Sequence, residues 1–121
     1  MANPARLRRI AEQIRRELSE ILRTELKDPG VGIITLTDVE VSPDLAHAKV
    51  YFTTLGDSQA LERSQAGLRR AAGFLRSSLG HRINIHNTPE LRFEYDASVE
   101  RGVRLTQLID SAVADRSKDQ E

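Results

Sequence analysis

The chain has no cysteine and no tryptophan, and its aromatics are three phenylalanines and two tyrosines. Without cysteine there is no disulfide framework and no thiolate metal site, which suits a reducing compartment. No apolar run approaches the ~20 residues a membrane-spanning helix needs. The arginine-rich start is followed by no apolar stretch, so it does not read as a secretory signal. A cytoplasmic protein of bacterial or organellar type is expected, with no membrane partner. Net charge is also missing: 18 basic residues balance 18 acidic ones. At 121 residues the expectation is one domain with a modest core.

The neutral total hides a segregated pattern. Residues 1–27 carry net +3, residues 28–60 net −4, residues 61–82 net +4 and residues 83–121 net −3. If the fold sets the two positive blocks side by side, the molecule has a basic face and an acidic back. Ordinary solvated helix faces are the plainer reading of the same pattern.

Asn3-Pro4 starts a helix, with Pro4 at its first position. Leu7, Ile10, Ala11, Ile14, Leu18, Ile21 and Leu22 recur at spacings of three and four, the mark of an amphipathic helix. Its other side carries Arg8, Arg9, Arg15, Arg16 and Arg23, with Glu12–Arg16 and Arg16–Glu20 spaced for ion pairs. Asp28-Pro29-Gly30 stops it. The stretch VGIITLTDVEVS is rich in β-branched residues but changes phase between Leu36 and Val39, which predicts a bulge near Thr37–Asp38. A turn at Ser42-Pro43-Asp44-Leu45 leads into AHAKVYFTTL, with Ala46, Ala48, Val50 and Phe52 on one face, so the two strands form an antiparallel hairpin. Asp57 or Ser58 caps a second helix with the stripe Leu61, Ser64, Leu68, Ala71 or Ala72, Leu75 and Leu79, stopped at Gly80. PELRFEYD is a third strand with Leu91, Phe93 and Tyr95 inward. Ser98 caps a last helix bearing Leu105, Leu108, Ile109 and Ala112. Three strands with helices on one face make a two-layer α+β domain. It is expected to span residues 1–112, leaving 113–121 as a charged, disordered tail.

Two glycines lie inside the second helix, where each costs about 1 kcal/mol relative to alanine. Gly67 reads as tolerance on a solvated face. Ala71, Ala72 and Gly73 together remove bulk at one place, which suits tight packing against the first helix, or a kink. A kink would split the helix and free N–H groups that favour phosphate, with Arg69, Arg70 and Arg76 around them. No catalytic or metal constellation accompanies these residues. His81 and His86 are wrongly spaced for one helix face, and His47 lies on a strand. Ser42, Ser77 and Ser78 lack a paired base, and no phosphate-binding glycine motif is present. No enzyme activity, cofactor or metal is expected.

The ordered set of segments resembles the ribosome-binding factor A family. RLRRIAEQIRRELSEIL and LKDPGVGIITLTDVEVSPDLAHAKVYFTTL are similar to its first helix and hairpin. Ala71-Ala72-Gly73 followed by Phe74-Leu75-Arg76 is similar to its Ala-x-Gly kink. LRFEYDASVERGVRLTQLI is similar to its last strand and ending, through Asp96, Ser98, Gly102, Leu108 and Ile109. The resemblance implies a type II KH-like domain with Ala-x-Gly in place of Gly-x-x-G. It also implies a monomeric assembly factor that binds the free 30S ribosomal subunit through 16S rRNA and not DNA. Such a factor assists late maturation and 5′-end processing, including in the cold. Joined to the charge pattern, it points to Arg8, Arg9, Arg15, Arg16, Arg69, Arg70, Arg76 and Arg82 as the RNA-binding set, with Ala71, Ala72 and Gly73 as the kink. With Phe52, Phe93 and Tyr95 on core faces, extensive base stacking is not expected. The alternative is a protein-interaction module docking through the first helix.

Overall fold

The computed structural model describes residues 3–26, 30–85 and 87–98. Helix α1 spans Pro4–Thr24, strand β1 Ile34–Val41, strand β2 His47–Thr54, helix α2 Ser58–Arg82 and strand β3 Glu90–Tyr95. The sheet order is β1-β2-β3. β1 and β2 are antiparallel, whereas β2 and β3 run parallel and are joined through α2.

Both helix starts follow from their caps. The Asn3 side chain accepts from the Arg6 N–H at 2.8 Å, with Pro4 immediately after it. The Asp57 carboxylate accepts from the Ala60 N–H at 2.9 Å, so Asp57 rather than Ser58 is the cap of α2. The bulge lies where the phase change put it, between Leu36 and Asp38. By absorbing Thr37 there, the strand keeps both Leu36 and Val39 on the buried face, opposite Phe52 and Val50.

Ile14, Leu18 and Ile21 of α1 and Leu68, Leu75 and Leu79 of α2 are sealed from solvent against Val50 and Phe52. Each such side chain contributes roughly 1.5–3 kcal/mol by leaving water. Leu91 completes the layer from β3, and the Tyr95 ring meets Phe52 edge-on at 6.1 Å between centroids. Both helices therefore lie on one face of the sheet. The opposite face carries Asp38, Glu40, Lys49, Tyr51, Arg92 and Glu94 in register.

Four expectations are corrected. α2 does not divide at Ala71-Ala72-Gly73: helical backbone continues through all three residues. It also runs past Gly80 to Arg82, where the Ile83 N–H still reaches the Leu79 carbonyl at 3.0 Å. Gly67 is not on a solvated face. It is buried against the segment entering β1, and a Cβ there would lie 2.5 Å from Val31 Cγ2. Finally, the α1 ion pairs form at a spacing of three, Glu12–Arg15 and Glu20–Arg23, not at four. The last helix lies outside the described residues beyond Ser98, as do residues 105–112 and the boundary at 112. Next to its expected start, the Asp96 carboxylate accepts from the Ser98 N–H at 2.9 Å.

The two helix glycines are thus opposites, since a Cβ at Gly73 would meet nothing within 4 Å. Gly67→Ala should lower the unfolding free energy by about 1–3 kcal/mol through overpacking. Gly73→Ala should raise it by up to about 1 kcal/mol through helix propensity. Urea denaturation of both variants checks the pair of signs.

Candidate nucleic-acid interface

One-sided packing sorts the charge. α1 holds six arginines against three glutamates, and α2 five against one, giving +3 and +4. The three strands hold four acidic residues against Lys49 and Arg92, net −2. The helices form one layer, so the two positive blocks do lie side by side, and the open sheet face is the acidic back.

Within that layer the eight candidate arginines divide by what they touch. Arg8, Arg9 and Arg16 of α1 and Arg69 of α2 are exposed; Arg70 is exposed too but also engages the protein, its Nη2 folding back toward Gly67. Arg15 is half-buried and ion-paired with Glu12, its Nε donating to Oε2 at 3.0 Å. That hydrogen bond holds the Glu12 carboxyl below, and the Arg15 guanidinium above, its ordinary pKa. Arg76 donates from Nε and Nη2 to the Thr88 carbonyl at 3.0 and 2.9 Å, fastening α2 to the connector that leads into β3. Arg82 forks between the helices, with Nη1 3.2 Å from Glu17 and Nη2 3.0 Å from Glu25. Its pKa is raised, chiefly by the hydrogen bond to Glu17.

The arginines also face different ways. Arg15 and Arg16, with Ser19 and Arg23, line a groove of about 600 Å³ against Val31–Leu36, along the outer edge of β1. Arg69, with Gln65 and Ala72, lines one of about 410 Å³ over Leu91–Glu94 at the opposite edge. The fold brings the set onto one layer but does not converge it on a single point.

The small-residue stretch divides too. Ala71 is core, Ala72 is half-buried in the β3 groove, and Gly73 is exposed. Gly73 shares a shallow depression of about 380 Å³ with Arg76, Ser77, Gly80, His81 and Thr88. Tight packing therefore accounts for Ala71 and not for Gly73. Phe74 was missed by the sequence reading: its ring is 47% exposed. The available signal was its phase, which is off the Leu68–Leu75–Leu79 stripe. Among the described residues, no group of three or more His, Asp or Glu could hold a metal, and no helix is long and apolar enough to cross a membrane.

A family model for Ribosome-binding factor A matches residues 6–109. The chain belongs to the ribosome-binding factor A family. A Ribosome-binding factor A from Aromatoleum aromaticum is 59% identical over 111 residues, covering 92% of this chain and 87% of that one. One from Azoarcus sp. is 61% identical over 109 residues, covering 90% and 86%. Among solved structures, the crystal structure of ribosome-binding factor A from Thermus thermophilus superimposes with a TM-score of 0.65 at 26% identity, covering 72% of this chain and 91% of that one. A homology model of the Thermus protein, fitted into a cryo-EM map of a 30S–RbfA complex, gives 0.61 at 26% identity, covering 72% and 91%. The observed order of elements is the KH-like α+β architecture that the family resemblance implied.

Ala71-Ala72-Gly73 lies inside α2, near arginines that differ in what the protein gives them to hold. Arg82 holds Glu17 and Glu25. Arg82→Gln should lower the thermal midpoint, and the loss should shrink when Glu17→Gln is already present. A double-mutant cycle by thermal denaturation measures that coupling.

Proposed function

We propose that this protein binds the free 30S ribosomal subunit through the backbone of 16S rRNA and assists its late maturation, including 5′-end processing and work in the cold. The observation that carries the reading is the arginine-rich helical layer set against an acidic sheet face. Family membership supports it, as does the Thermus relative fitted into a 30S–RbfA map. In this reading the protein acts in the cytoplasm as a monomer and as a binding factor rather than a catalyst, with no cofactor and no need of DNA or membrane.

The mechanism is charge neutralisation over a broad surface. Arg8, Arg9, Arg16, Arg69 and Arg70 present guanidinium groups that match phosphate oxygens bidentately. Arg15, Arg76 and Arg82 keep their positive charge but are pre-oriented by Glu12, the Thr88 carbonyl, and Glu17 with Glu25. Arg76 adds its charge to the surface, whereas the charges of Arg15 and Arg82 are balanced by their glutamates, and all three hold the surface rigid. With two arginine-lined grooves on opposite edges, the layer suits folded RNA that spans its width, more than a single strand threaded through one slot. The exposed Gly73 lets an RNA backbone approach the helix more closely than any side chain would allow.

Binding to purified 30S subunits, followed by co-sedimentation, should weaken steeply with salt. The log–log slope should be about 0.7–0.9 per neutralised phosphate, or about 4 for five contacts. Arg16→Glu combined with Arg69→Glu should reduce affinity at least about ten-fold and flatten that slope by about 2. The thermal midpoint should barely move, because both side chains are exposed. A flat salt dependence, or a partner retained after ribonuclease treatment, would instead favour docking of a protein through α1.

A further inference from the structure

Apart from Phe74, every phenylalanine and tyrosine of the chain packs on the sheet or lies within it. Phe52 is sealed in the core, Phe93 and Tyr95 pack against it, and Tyr51 stands on the open face, paired in register with Asp38 and Glu94. Phe74 is 47% exposed on a helix whose core positions, Ala71 and Leu75, are already filled by its neighbours. It stands on the cationic layer. Arg70 precedes it by one turn on the same side of α2, at the four-residue spacing that makes helix side chains neighbours. Beside it lies Gly73, where the surface is open down to the backbone. Among the described residues, the other large exposed apolar ones, Ile33 and Leu55, have no π-face.

We propose that Phe74 is a stacking platform for one unpaired nucleobase of the bound RNA, with the attached sugar-phosphate lying over Gly73. The proposal rests on the RNA-binding reading above and adds what that reading lacks, a contact to a base rather than to phosphate. A flat aromatic face accepts any of the four bases, so the contact selects for an unstacked nucleotide rather than for a sequence. The positive layer selects the class of occupant. An anionic chain is drawn to it, and its hydrophobic bases then meet the one exposed aromatic ring there. One ring also fits the scarcity of aromatics: it is a single point of attachment within a surface that otherwise reads shape and charge.

The test uses the full chain and its variants Phe74→Ala, Phe74→Leu and Phe74→Tyr. The probes are free 30S subunits and a short unstructured RNA carrying 2-aminopurine, whose fluorescence is quenched by stacking. Wild type and Phe74→Tyr should quench the probe, whereas Phe74→Ala and Phe74→Leu should not. Phe74→Ala should weaken binding about ten-fold with an unchanged salt slope, since no phosphate contact is lost. Full affinity and quenching in Phe74→Leu would overturn the proposal, because leucine keeps the apolar bulk and loses the π-face. Loss of binding on removing Arg16 and Arg69 but not Phe74 would also overturn it, while leaving the backbone reading intact. Failure of the wild-type chain to bind RNA at all would remove both. Phe74→Tyr and Phe74→Leu preserve size, so the comparison holds even where Phe74→Ala is less stable.

Discussion

Everything in the described molecule depends on the burial of two helices against one face of a three-stranded sheet, over Val50 and Phe52. Neither helix could hide its apolar stripe alone. Once Ile14, Leu18, Leu68, Leu75 and Leu79 are committed to that layer, every other direction around α1 and α2 points to their flanks or to water. The arginines have no other place to go. The same act of packing that stabilises the domain also builds its positive surface, and it leaves the acidic strand residues on the far side.

The arginines differ in how they are held. A guanidinium tied to a carbonyl is fixed in place and keeps its charge, and one tied to a carboxylate is fixed and balanced. One that reaches into solvent can adapt to a ligand, but loses side-chain freedom on binding. Arg82 stitches α2 to α1, and Arg76 stitches α2 to the approach of β3, so cations that composition alone would assign to RNA hold helix and sheet together. This arrangement keeps a net-positive layer from repelling itself apart.

Much of the fold was legible in the residues. Three-and-four spacing marked both helices. Period-two alternation marked β2 and β3, and the phase change between Leu36 and Val39 located the bulge, because one buried face admits only one register. What the residues could not reveal was distance. Gly67 is demanded by Val31, which is 36 positions away in the chain and meets it only through the return path into β1. Equally, no local pattern distinguishes Arg69, over β3, from Arg15, beside β1, or discloses that Glu17 and Glu25 converge on Arg82. The small residues 71–73 read as either a kink or tight packing, because local sequence does not separate the two. In the fold, Ala71 satisfies packing, and the helix carries on.

The parallel pairing of β2 with β3 has a consequence for how the chain is made. A hairpin closes as soon as its second strand appears, but β3 can join only after all of α2 has crossed back over the sheet. During synthesis, the hairpin and first helix are available early, while β2 keeps one unpaired edge until Glu90–Tyr95 emerges. Such an edge invites pairing with other chains. Lys49 within β2 is the kind of charged side chain that blunts such an edge.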